Sequence, residues 1–144
     1  NWIDGGDPSG HSLVQRFAFL HAASYVYHGH PLLGVGTGDL KREFASAYVA
    51  IDSPLQLPFR LRAHNQYVTF LISGGPIALI LWIAILVSLH FTQATIPERR
   101  ATLLFVLILG LSCLSEDTLE TQAGVTFAGL FIGLFGRRTK EKSL

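Results

Sequence analysis

The chain has 144 residues, 49% of them hydrophobic and only 15% charged, with a formal net charge of +1. So near-neutral a balance builds no field that would gather nucleic acid, so the basic residues matter by where they stand and no nucleic-acid partner is expected. The charges avoid three long stretches, which a water-soluble domain of this size would not do, and the single cysteine, Cys113, excludes an internal disulfide. The sequence opens at Asn1, contains no methionine, and enters hydrophobic sequence without a basic leader and cleavage site, so it reads as a portion of a longer chain. The expected fold is all-α: a fragment of a polytopic membrane protein, with three transmembrane helices preceded by a helical extracytoplasmic loop.

Residues 1–66 hold two helical patterns. Leu13, Val14, Phe17, Leu20, Ser24 and Tyr27 follow a helical period, bounded by Asp7-Pro8-Ser9-Gly10 before and Gly29-His30-Pro31 after. Leu40, Phe44, Tyr48 and Ile51 give a second helix, with Asp39 as its N-cap and Ser53-Pro54 as its stop. Gly34-Val35-Gly36-Thr37-Gly38 lies between them as a flexible turn.

Residues 67–91 contain no Asp, Glu, Lys or Arg and would make roughly 37 Å of helix, more than a hydrocarbon core of roughly 30 Å requires. Ser73-Gly74-Gly75-Pro76 removes a backbone donor inside that run and predicts a kink. Residues 101–115 and 121–136 are two shorter uncharged runs, which span only if their polar flanks join the helices. They read as a helical hairpin with Pro97 in its first turn and residues 116–120 as its tip. Arg99 and Arg100 in one connection, and Arg137, Arg138, Lys140 and Lys142 after the last run, mark the cytoplasmic side. Residues 1–66 and 116–120 then share the outer face.

His64 comes directly before the longest run, with Arg60, Arg62 and Asn65 beside it. An imidazole and two guanidiniums would thus stand at the outer membrane-water boundary, where a lipid-linked substrate presents its headgroup. A free imidazole, with a pKa of about 6.5, accepts a proton from a sugar hydroxyl at neutral pH, and the guanidinium fork matches phosphate oxygens. The plainer alternative is an interfacial histidine with arginines whose stems lie along apolar surface. Arg16 sits among Val14, Phe17, Phe19 and Leu20, where a permanent cation faces an anion, a carboxylate such as Glu116 or Glu120, or simply water. Glu116 and Glu120 are four apart and would share a helix face, which suits capping and salt bridging better than glycoside hydrolysis. Asp117-Thr118-Leu119-Glu120 reads as a capping-box-like helix start. Gly34, Gly36 and Gly38 do not form a dinucleotide fingerprint, although amides there could hold a phosphate; a plain turn is the simpler reading. His28-Gly29-His30 and Asp4-Gly5-Gly6-Asp7 lack a second ligand set, so no metal is expected.

Four pieces, taken in order, carry a resemblance: Gln15-Arg16; His30-Pro31-Leu32-Leu33-Gly34-Val35-Gly36-Thr37-Gly38-Asp39; Ala63-His64-Asn65-Gln66-Tyr67; and residues 115–124, from Ser115-Glu116-Asp117 to Gln122-Ala123-Gly124. Together they resemble the C-terminal half of the O-antigen ligase and polymerase family, over nearly the whole chain. The resemblance implies a GT-C type glycosyltransferase of the bacterial inner membrane that moves a glycan from an undecaprenyl-diphosphate carrier to an acceptor hydroxyl in the periplasm. Ligases use the lipid A core as acceptor; polymerases use another repeat unit. The layout it implies is a periplasmic loop (1–66), spans at 67–91, 101–115 and 121–136, a cytoplasmic loop (92–100), a periplasmic tip (116–120) and a cytoplasmic tail (137–144).

Carried over residue by residue, the family's essential loop histidine falls on His64 and a donor-diphosphate arginine on Arg16. Arg60 and Arg62 are further diphosphate candidates, and Asn65, Glu116, Glu120, Gly36 and Gly38 are supporting residues. A diphosphate held by arginines is already a good leaving group, so the expected chemistry is an inverting transfer with His64 as base, without metal or cofactor. A reading of another class is a polytopic transporter or lipid-glycan binding module, in which His64 and Arg16 hold anions without bond making.

Overall fold

In the computed structural model, which describes residues 12–93 and 95–136, all regular elements are helical. They are α1 (Ser12–Gly29), α2 (Leu40–Ala50), α3 (Gln66–Phe91), α4 (Ile96–Ser115) and α5 (Gln122–Phe135), with 3₁₀ turns at Leu57–Phe59 and Thr118–Glu120. The expected boundary at Asp7-Pro8-Ser9-Gly10, the pair Asp4 and Asp7, and the basic tail with Arg137, Arg138, Lys140 and Lys142 lie outside the described residues. Residues up to Leu79 form one compact unit and those from Ile80 a second.

In the first unit, α1 packs on α2. Phe19, Ala22, Ala23 and Val26 meet a core that includes Leu40, Phe44, Ala47 and Tyr48 and is closed by Leu55, Ala63 and Ile72. Each large side chain buried there contributes about 1.5–3 kcal/mol of transfer free energy. The stripe expected on α1 is not the buried one: Leu13 and Phe17 are 72% and 68% exposed. The helix is apolar on two faces, and the face bearing Ala22 and Ala23 is the one that lets α2 approach closely. On α2 the expected Leu40, Phe44 and Tyr48 are buried and Ile51 packs against the core. Asp39 occupies the N-cap position with helical backbone but makes no capping bond; its carboxylate instead pairs with Arg42 at 3.3 Å. The chain leaves α2 through Asp52 at φ 45°, with the Ser53 amide donating to the Tyr48 carbonyl, just ahead of Pro54.

The kink in α3 falls at Gly75 (φ 68°, ψ −170°), directly before Pro76. Proline has no N–H to donate to the Ile72 carbonyl, and the break strips Ser73 of its helical donor as well. Both carbonyls are satisfied from outside the helix: Val35 N–H donates to Ile72 at 2.9 Å and Gly36 N–H to Ser73 at 2.8 Å. The approach is backbone on backbone. A Cβ at Gly34 would collide with the Ile72 and Ser73 carbonyls, and one at Gly75 with the Leu32 carbonyl. The segment expected as a flexible turn is therefore latched to the kink.

In the second unit, α4 opens with a full capping box between Thr95 and Glu98, with Pro97 in the first turn as expected. Its buried residues are Thr102, Phe105, Leu109 and Cys113, while Leu104, Ile108, Leu111 and Leu114 are all more than half exposed. Phe105 stacks on Phe131 at 5.4 Å and also meets Phe127 and Phe135 of α5. Gln93 donates to the Leu89 and Phe135 carbonyls, tying the end of α3 to the end of α5.

Among the described residues α3, with 26 residues and a mean hydropathy of 2.5, is the one helix long and apolar enough by itself to cross a membrane. The helices expected over 101–115 and 121–136 are present, but α4 includes Glu98, Arg99 and Arg100, and α5, with 14 residues, rises roughly 21 Å.

Candidate functional site

Asn65 caps α3: its side-chain oxygen accepts from the amides of Tyr67 and Val68, each at 3.1 Å. The cap makes the chain turn sharply just before it, and the turning residue is His64, held at φ 48°, a left-handed conformation that non-glycine residues seldom adopt. His64 is half-buried, and its ring lies 5.7 Å from that of Phe19 on α1, tilted by 47°. Arg16 is one helical turn before Phe19 on α1. Its side chain is exposed and has no ion-pair partner among the described residues. The first unit therefore places His64 against Phe19, with Arg16 one turn earlier on the same helix. The sequence reading named Phe19 only as an apolar neighbour of Arg16 and not as a residue of the site, although its spacing of three from Arg16 was the available signal.

Arg60 is tied to the segment around it. Its Nε donates to the Leu55 carbonyl at 2.8 Å, one terminal nitrogen donates to the Ser53 carbonyl at 3.2 Å, and the guanidinium lies 5.9 Å from the centre of the Tyr48 ring. Two of its five N–H donors are thus committed to holding the segment after α2. Tyr48 donates its hydroxyl to the Leu61 carbonyl. Burial pushes its phenol well above the ordinary range, against a smaller opposing pull from Arg60.

Arg60 and Arg62 both line a groove of about 550 Å³ between α2 and the segment 57–62. Thr37, Gly38, Lys41 and Phe44 also line it; His64 and Arg16 do not. Lys41 is a further residue that the sequence reading missed, one turn ahead of Phe44 and close to the glycine run. Gly36 is a fold residue, its amide committed to Ser73.

At the hairpin tip, Glu116 is extended (φ −146°, ψ 158°) and Glu120 ends a 3₁₀ turn. The pair does not share a helix face, because the helix has stopped between them. Nor does Asp117 begin a helix with a capping bond; the cap of α5 is Thr121, whose hydroxyl accepts from the Gly124 amide at 3.1 Å. Asp117 is buried, and Ser112 and Thr118 share a hydroxyl hydrogen bond of 2.8 Å. Gly124 packs so closely on the Thr118 carbonyl that a Cβ there would collide with it. These residues are described within the second unit.

Comparison of the chain with protein-family models, with curated proteins and with solved structures finds no match.

Proposed function

We propose that this chain is the C-terminal portion of an O-antigen ligase-like glycosyltransferase of the bacterial inner membrane, working on the periplasmic face. The observation that carries the reading is the setting of His64: a half-buried imidazole in a left-handed turn, immediately before the one helix among the described residues long and apolar enough to span, with Phe19 against its ring and Arg16 one helical turn before Phe19. In this reading α4 and α5 also cross the bilayer with their polar flanks. Their exposed faces, bearing residues such as Leu104, Ile108, Leu130 and Leu134, suit lipid or neighbouring helices.

The donor is a glycan on undecaprenyl diphosphate. Arg16 holds the diphosphate, with Arg62 as a second candidate, and the guanidinium charge stabilises the leaving group in place of a divalent ion. His64 accepts the proton of the acceptor hydroxyl, whose oxygen attacks the anomeric carbon. The bond from that carbon to the diphosphate oxygen breaks, its electron pair leaves with the carrier, and configuration inverts. Asn65 positions His64. The absence of Asp, Glu, Lys and Arg from 67–91 favours chemistry at the membrane surface over transport, since transporters set charged groups near the midplane.

The test is transfer by the full-length protein in liposomes from an undecaprenyl-diphosphate-linked glycan, with lipid A core and free repeat unit offered as acceptors. Transfer to the core identifies a ligase, and transfer to the repeat unit a polymerase. Binding of the glycolipid with no transfer to either acceptor would replace this reading by the transporter or binding module.

A further inference from the structure

We propose that the loop between α1 and α2 is a membrane-seated wedge, which sets Leu32 and Leu33 among the acyl chains just inside the boundary of the bilayer that α3 crosses. Both leucines stand clear of the core, 75% and 77% exposed. The loop ends a run, 17–38, without Asp, Glu, Lys or Arg, and the first charged residue after it, Asp39, is paired with Arg42.

The depth of the loop follows from where it is latched. Val35 and Gly36 donate to the Ile72 and Ser73 carbonyls, and the Leu32 carbonyl lies so close to Gly75 that a Cβ there would collide with it. The loop is thus fixed at the level of residues 72–75, below the start of α3. A hydrocarbon core of roughly 30 Å takes about 20 residues of helix. Placed as far towards Gln66 as α3 allows, that window opens roughly 9–14 Å before the latch; placed as far towards Phe91, it opens at Ile72 itself. In either placement Gly75 and the Leu32 backbone beside it lie inside the hydrocarbon. Ile77, 58% exposed, follows within a turn, so the leucines extend the face that α3 turns to lipid. Irregular backbone is tolerated at such a level only where its polar groups are satisfied. Here the His30 and Gly34 amides donate to the Tyr27 and His30 carbonyls, those of Val35 and Gly36 donate to α3, and Pro31 has none. A water-borne partner could not reach the leucines there, whereas acyl chains surround them. The proposal needs α3 in a membrane but does not rest on the transferase reading.

The experiment places one environment-sensitive fluorophore on the full-length protein in phosphatidylcholine liposomes, with Cys113→Ala as background. The labelled positions are Leu33→Cys, Ile80→Cys as the lipid-facing reference on α3, and Lys41→Cys as the water-facing one; all three side chains are exposed, so the substitutions leave the core intact. The Leu33 label should emit to the blue and be quenched by doxyl-labelled lipid as the Ile80 label is. Iodide, an ion excluded from hydrocarbon, should quench it at least roughly fivefold less than the Lys41 label. Iodide quenching equal to that at Lys41 would overturn the proposal and leave the loop in water. Shielding from both quenchers would overturn it too, by assigning the leucines to a protein contact, with a second copy or another part of the longer chain. An Ile80 label quenched by iodide would remove the membrane setting of α3, and this proposal with it. Glycan transfer is not read in any arm, so with Ile80 in lipid a failure at Leu33 leaves the transferase reading standing.

Discussion

The amide of Gly36 donates to the carbonyl of Ser73 at 2.8 Å, replacing a helical bond that the kink at Gly75 takes away. Gly34, two residues earlier, makes that approach possible, and the two glycines should respond differently to substitution. Gly34→Ala adds a Cβ that collides with the Ile72 and Ser73 carbonyls at a left-handed φ, and should cost about 3 kcal/mol. Gly36→Ala meets nothing within 4 Å and carries only the backbone penalty of about 1 kcal/mol. Denaturant unfolding of the two variants in detergent checks this, and equal losses would mean that the latch does not hold the kink.

Asn65→Ala should remove about 1 kcal/mol of stability with the cap of α3 and should also release His64 from its turn. Its kcat should fall while Asn65→Asp, which keeps the capping oxygen, restores most of it. A variant that loses stability with kcat unchanged would leave Asn65 a cap and nothing more.

Tyr48 links stability to alkaline pH. Burial raises its folded-state pKa above the unfolded value of about 10, so the folded chain keeps a proton that the unfolded chain releases. Its contribution is complete below pH 10 and is lost as pH climbs from there through the folded pKa. Tyr48→Phe should flatten that part of the stability profile, and at pH 7 should cost about 1 kcal/mol because the Leu61 carbonyl loses its donor. An unchanged alkaline slope in Tyr48→Phe would show that another group sets it.

In the hairpin, Gly124→Ala should cost about 1–3 kcal/mol through collision with the Thr118 carbonyl. Gly129→Ala, in the same helix with nothing within 4 Å, should be neutral or gain up to about 1 kcal/mol of helix propensity. Thermal melts of the pair measure the contrast directly, and similar behaviour would remove the close packing of the tip.

Much of the helical layout was legible in the sequence. The period of α2, the uncharged run of α3, Pro97 in the first turn of α4 and the Gly75-Pro76 kink each follow from a local rule. The buried face of α1 was not legible, because Leu13 and Phe17 on one side and Phe19 and Val26 on the other are similarly apolar; the choice belongs to the partner helix. The Glu116-Glu120 pair misled for a related reason: a spacing of four implies a shared face only where the helix continues, and here it ends. His64 could be picked out by its place before the longest run. Its left-handed backbone and its contact with Phe19 could not, since both depend on packing between segments distant in the chain. Nor could the sequence show that Arg60 donates to the Ser53 and Leu55 carbonyls, because those contacts depend on how the segment after α2 folds back.

The most direct measurement of the central claim is single-turnover glycan transfer by His64→Ala in liposomes, in protein shown to be folded and to bind the undecaprenyl-diphosphate donor as wild type does. A base in His64's place predicts a loss of at least roughly a hundredfold in the transfer step with donor affinity unchanged. Transfer at the wild-type rate would contradict the account and leave His64 as an interfacial residue packed on Phe19.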